Sequence, residues 1–307
     1  MADLATWPVL TADGRGNVLG GLRLVRSLLG ALLLLVPLAA CGGSHSAKPN
    51  TDGRSPTPSV TGNTSGGRHL SGTVYLDPGH GGVDTGTSGS TSDGTLVYEK
   101  NAVLQIALLT AQRLRADGLT VVMTRTSDVD PCIKPSDLTA DGTAMTAAGV
   151  LDDLQCRIDK ANSSKAQVLL SLHMNAFSDP SVNGTETYYD SARPFAAQNE
   201  RFAQLVQQDV INALHGQGYT TPDRGIAVDS EDNEGSLGTL PATYDHLVLL
   251  GPAVPGQLTP SMMPGALCEM LFLSNPSEAT AAIDPGVQRL IAGGLVQAIE
   301  TFLQPGG

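Results

Sequence analysis

Basic side chains are scarce beyond the first 70 positions of this 307-residue sequence. Residues 71–307 carry 12 Lys or Arg against 27 Asp or Glu, whereas residues 1–70 carry six against three. So few cations exclude nucleic acid as a partner, because phosphate binding needs clustered Lys and Arg. They also exclude loose electrostatic adhesion to a polyanion, so an anionic ligand has to be held by a specific cleft. The apolar run Leu28–Leu38 stops at 11 residues, against the roughly 20 that cross a bilayer as a helix. Internal repeats are absent, which excludes a solenoid or propeller. Only one stretch has low complexity, and with it set aside there is room for one folded domain. Cysteines number four, too few for a disulfide scaffold to replace a core. Apolar residues make up 41% of the chain, enough for a core of ordinary kind.

What is present begins with a targeting segment. Arg23 and Arg26 precede the apolar run, and Ala39, Ala40 and Cys41 follow it. That is the layout of a secretory signal with its cleavage site. Leu38-Ala39-Ala40-Cys41 resembles a bacterial lipobox, which makes Cys41 a possible lipid anchor and the protein an exported lipoprotein. The stretch before Arg23 is long for a signal and points to a start codon downstream of Met1. Residues 42–70 are rich in Gly, Ser, Thr and Pro and bury too little to offset ordering entropy, so they read as a tether. Residues 71–307 are expected to form the functional domain. In an exported domain Cys132 and Cys156 are expected to pair, closing a loop of about 25 residues worth on the order of 3 kcal/mol. Cys268, inside an apolar run, reads as a small buried hydrophobe.

The pattern of the body alternates. Strands are expected at 73–77, 119–124, 167–172, 185–189, 247–250 and 266–271, from their β-branched and apolar runs. Helices are expected at 101–117, 151–163, 195–214 and 285–302, the first stopped by Gly118 and the last opened by Pro285. Alternating strands and helices predict an α/β domain with a twisted, mostly parallel sheet flanked by helices on both faces. Ligands in such sheets gather beyond the carboxyl ends of the strands.

Chemistry-bearing residues fall at those ends. The first strand runs into Asp77-Pro78-Gly79-His80-Gly81-Gly82, where glycines let the backbone turn tightly around an imidazole. The third ends in Ser171-Leu172-His173-Met174-Asn175, and Glu99 opens the first helix. Two His and one Glu, with a fourth position open to water, form the ligand set of catalytic zinc. Glu269 interrupts the last apolar strand. A carboxylate there is costly to bury without a partner, so it is expected to face the site as general base. Each residue alone has an ordinary reading. His80 suits a surface turn, His173 a hydrogen-bonded core position, and Glu99 a helix first turn favoured by the dipole. Glu269 suits an ion pair with a buried arginine such as Arg125. Asp77, Asp128 and Arg157 read as structural hydrogen-bonding residues. The acidic stretch between Arg224 and Leu247, with Asp229, Glu231, Asp232 and Glu234, reads as a mobile lip beside the cleft. His215 and His246 read as uninformative.

Taken in order, the pieces are more specific. Leu76-Asp-Pro-Gly-His80-Gly-Gly is followed by Tyr98-Glu99-Lys100-Asn101 and Met123-Thr-Arg-Thr-Ser-Asp128. Arg157 with Ala161-Asn162, Ser171-Leu-His173-Met-Asn175, and Glu269 with Phe272-Leu-Ser-Asn275 complete the series. From about Thr73 to Leu303 the chain resembles the zinc-dependent N-acetylmuramoyl-L-alanine amidases of the Amidase_3 type. The resemblance implies Zn2+ held by His80, Glu99 and His173, with Glu269 as the catalytic acid–base. It implies hydrolysis of the amide between N-acetylmuramic acid and L-alanine in peptidoglycan or its fragments; a monomer is expected, and the signal-like segment places it in the periplasm or cell envelope. Insertions at 129–156 and 225–246 depart from the family without touching those four positions. Two other functions are kept open: a non-catalytic wall-binding or regulatory lipoprotein on the same scaffold, and a zinc peptidase cutting within the stem peptide.

Overall fold

The computed structural model describes residues 70–231 and 240–304. The signal-like segment, nearly all of the tether, and Asp232 and Glu234 lie outside the described residues. Among the described residues, no helix is long and apolar enough to cross a membrane.

Eight strands and five α-helices form in chain order: β1 (Thr73–Pro78), β2 (Ser88–Ser90), β3 (Leu96–Tyr98), α1 (Glu99–Ala116), β4 (Thr120–Met123), α2 (Ala147–Ser164), β5 (Val168–Asn175), β6 (Thr185–Tyr189), α3 (Ala196–His215), β7 (Asp223–Val228), β8 (Gly265–Phe272), α4 (Pro276–Ile283) and α5 (Pro285–Leu303). Six strands make one sheet in the order β4-β1-β5-β8-β6-β7, and β2 pairs with β3 in a separate hairpin. Strands β4, β1, β5 and β8 are parallel. Strand β6 runs antiparallel to β8, and β7 runs parallel to β6.

The central strands are apolar on both faces because each face is covered. Val168, Leu170, Leu172 and Met174 of β5 enter one core with residues of α1, α3 and α5. Leu169 enters a second core with Leu151 and Ile158 of α2 and with the 240–263 segment. By strand alternation Ser171 and His173 share that second face. Helix starts are set by local chemistry. Thr146 accepts from Gly149 N to cap α2, Asn275 accepts from two amides to cap α4, and Asp284 does so for α5 with Pro285 in its first turn. Cys132 and Cys156 are joined, their Cα atoms 5.7 Å apart, and tie the inserted 129–146 loop to α2. Cys268 is free and buried.

Several local expectations need correction. Residues 247–250 are not a strand. Leu247 O accepts from Leu250 N and Gly251 N in a tight turn, and Val248, Leu249 and Leu250 are buried in the second core. A short apolar run has no periodicity to tell a strand from a buried turn. Strand β7, the β2–β3 hairpin and α4 were not expected. Strand β7 is an edge strand whose first half is Asp223-Arg224-Gly225, which leaves only Ile226–Val228 as an apolar run. Helix α1 starts at Glu99 and α2 at Ala147, each before the first periodic apolar position. Asp229 is not part of an exposed lip: it is fully buried at the end of β7.

Candidate active site

The loop after β1 presents His80 at the carboxyl edge of the sheet. His80 itself takes a left-handed backbone conformation, φ 61°, which costs a non-glycine residue about 1–3 kcal/mol and persists only where surroundings enforce it. Here Gly81 and Asp84 exchange backbone hydrogen bonds of 2.9 and 3.0 Å, and Arg157 of α2 donates to His80 O at 3.1 Å. Arg157 is buried among Asp77, Asp130 and Asp153, so one guanidinium binds the first strand, the insertion and α2 to this loop. Arg125 donates to the carbonyls of Pro78, Gly79 and Lys100. It therefore braces the same loop.

Glu99 is buried where the hairpin meets α1, its side chain 3% exposed. One carboxylate oxygen accepts from Met174 N at 2.9 Å and lies 3.0 Å from His173 Nδ1. The other accepts from Thr87 N at 2.8 Å and lies 3.1 Å from His80 Nε2. Burial alone would lift this carboxyl, but the imidazoles of His80 and His173 hold it well below the usual carboxylate range. The opposite sign applies to His80: burial opposes its charge, and the Glu99 and Asp84 carboxylates raise its pKa well above the ordinary value. The centre thus has a strong preference for positive charge between its ligand atoms, which all lie within 4.8 Å of one another. Two imidazole nitrogens and a carboxylate oxygen are a donor set suited to Zn2+, and these residues fit such an ion.

Asp84, which sequence reasoning passed over, accepts at 2.8 Å from the His80 nitrogen turned away from the centre. A carboxylate in that position fixes the tautomer and ring orientation of a metal-binding histidine. Its signal was present: an Asp four residues after the glycine-flanked His.

Glu269 of β8 is the register partner of His173 on β5, so the two side chains leave the same face of the sheet on strands about 4.8 Å apart. Both line a cleft of about 610 Å³ that also contains His80 and Glu99. The row continues across the sheet. Glu186 of β6 is opposite Glu269, and a register shift in β7 lets Arg224 pair with Glu186 at 3.2 Å. Bulges commonly re-aim side chains beside active sites. The alternation of Thr185–Tyr189 showed that Glu186 and Tyr188 share a face, but no local pattern announced the shift that supplies Arg224.

Glycine is required where backbone meets these rings. A Cβ at Gly79 would lie 2.3 Å from His173 Cε1, and one at Gly86, where φ is +62°, would lie 2.5 Å from Glu99 Oε2 and 2.6 Å from the His80 ring. Gly86→Ala is expected to weaken metal retention by roughly 10–100-fold, the range found when ligand orientation is disturbed. Zinc retained after dialysis against a graded chelator series checks this, and wild-type retention would contradict it.

The four sequence-selected residues therefore meet at one end of one cleft. Comparison with known proteins bears on the chemistry. A family match described as N-acetylmuramoyl-L-alanine amidase spans residues 74–301. The chain belongs to that family. Among amidase relatives, it is 31% identical over 234 residues to the germination-specific N-acetylmuramoyl-L-alanine amidase of Bacillus subtilis, covering 76% of this chain and 81% of the relative. The crystal structure of an N-acetylmuramoyl-L-alanine amidase from Clostridium difficile matches with a TM-score of 0.53 and 30% identity, over 78% of this chain and all of that one. The CwlD amidase of Clostridioides difficile, solved in complex with the GerS lipoprotein, matches at a TM-score of 0.56 over 76% of this chain and 98% of that one. At 22% identity it supports the fold alone. Amidase-family membership supports peptidoglycan amidase activity as the coarse assignment.

Proposed function

We propose that the chain is a zinc-dependent N-acetylmuramoyl-L-alanine amidase, exported to the cell envelope, that hydrolyses the amide between the lactyl group of N-acetylmuramic acid and L-alanine. The observation that carries this reading is the convergence of His80, Glu99 and His173 within 4.8 Å, with Glu269 directly across the strand pair from His173. His80, Glu99 and His173 would hold the ion. When bound, it supplies Lewis-acid polarisation to a carbonyl and to water. Glu269 takes the proton of the attacking water and passes it to the leaving amide nitrogen, acting as base and then acid. Glu99, fixed by two backbone amides, keeps both imidazoles aligned, and Asp84 holds the His80 ring in place. Substrate is peptidoglycan or its muropeptides, seated in the cleft. The family's activity, the lipobox-like Leu38–Cys41 and the absence of clustered cations are consistent with a monomeric lipoprotein that recognises its polymer by shape and hydrogen bonding.

The test is product mass. Incubation with muropeptides is expected to release stem peptides that begin with L-Ala, and a chelator is expected to abolish this. Fragments cut inside the stem peptide would assign the site to a peptidase instead. No release under either condition would leave only a binding role.

A further inference from the structure

At the opposite end of the sheet from His173, three more potential ligands converge. Asp190 follows β6 directly, Asp229 follows β7 directly, and these strands are parallel neighbours, so their ends bring two carboxylates together. Strand β6 runs antiparallel to β8, so Asp190 is displaced from the level of Glu186 and Glu269 by four residues, roughly 13 Å along the strand. His246 joins them from the segment after the turn at residue 240. The three ligand atoms lie within 4.8 Å of one another.

The hydrogen bonding leaves one vacancy of charge. Asp190 and Asp229 are both 0% exposed. Asp190 anchors one oxygen on Ala192 N at 2.7 Å, and Asp229 anchors one on Leu247 N at 3.1 Å. The remaining oxygens both turn to His246 Nδ1, at 2.8 and 3.3 Å. That nitrogen has at most one proton to give, and no hydrogen bond reaches Asp190 Oδ2. The nearby cation, Arg193, donates its hydrogen bonds to Leu250 O, Gly251 O and Ser261 O. Two buried carboxylates and an imidazole nitrogen are therefore aimed at one point, with Arg193 acting on Asp190 through its charge while its hydrogen bonds go elsewhere.

A different grouping, Asp130, Cys132 and Asp153, does not qualify. Its sulfur is spent in the disulfide and its carboxylates on Arg157.

We propose that Asp190, Asp229 and His246 form a second, structural site for a zinc-class divalent ion. Mixed imidazole and carboxylate donors select a transition ion over Ca2+ or Mg2+. The ion would pin the segment containing Tyr244, His246 and Leu247, which lines the cleft, onto the ends of β6 and β7. It fixes the wall of the substrate groove and takes no part in bond breaking.

Zinc content and zinc-dependent Tm of the full-length, metal-depleted chain test this. The wild type is expected to take up about two ions, His173→Ala about one, and His173→Ala with His246→Ala none. Zinc is expected to raise the Tm of the His173→Ala chain and not that of the double variant. His246 is part-exposed, so its replacement is tolerable for folding, and Asp229→Asn gives a second, near-isosteric way to empty the site. A His173→Ala chain that binds no zinc, or one whose zinc content and Tm response survive both His246→Ala and Asp229→Asn, overturns the second site. Neither result bears on the first centre, which is emptied by its own variant.

Discussion

Glu269→Gln is expected to keep its zinc and its fold while losing about 10²–10⁴ in turnover, the usual contribution of a positioned acid–base. The amide is close in shape to the carboxylate but is not basic enough to take a proton from water, so the change isolates chemistry from packing. Glu269 is half-buried on β8 and looks onto the cleft opposite His173. Its loss therefore belongs in kcat, with KM for muropeptides little altered. Metal content, a melting curve and kcat measured on one preparation separate the effects. Turnover within a factor of a few of wild type would remove Glu269 from the mechanism.

His173→Ala is expected to do more. It removes one of three ligands to the first centre and leaves Glu99 with one imidazole in place of two. The ion is then held by two protein atoms, too few for a zinc site. Activity should fall to background, by at least the factor expected for Glu269, because polarisation of the carbonyl is lost as well. Replacing His80 should act alike, with an added effect on its loop, whose left-handed residue is held by contacts specific to this arrangement. Zinc lost from the first centre together with activity is the expected pairing. Full activity in a chain whose first centre is empty would refute metal-dependent hydrolysis.

Much of the site was legible because its residues break local rules. A His among three glycines and a Glu inside an apolar strand are costly placements, and such costs mark function. The long helices and central strands were legible from periodicity, and the pairing of Cys132 with Cys156 from the expectation that the chain is exported. What escaped was whatever depended on partners distant in the chain. Asp84 matters only because His80 turns one nitrogen toward it. Arg224 reaches Glu186 only because β7 slips register. His246, read as uninformative, gains its meaning from Asp190 and Asp229, 56 and 17 positions earlier. The 247–250 run looked like a strand because burial, not pairing, made it apolar.

By itself the sequence determined the α/β alternation, the short supply of cations in the body and, through the order of its family-like motifs, which four side chains belong together. These follow from composition, from periods of 2 and 3.6 and from motif order, all read along the chain. The tertiary structure alone decided that the four share one end of a cleft, which carboxylate orients which imidazole, and that two buried aspartates at the ends of parallel strands confront a single histidine nitrogen. Those are distances between segments far apart in the chain, set by strand order and register, and no local pattern contains them.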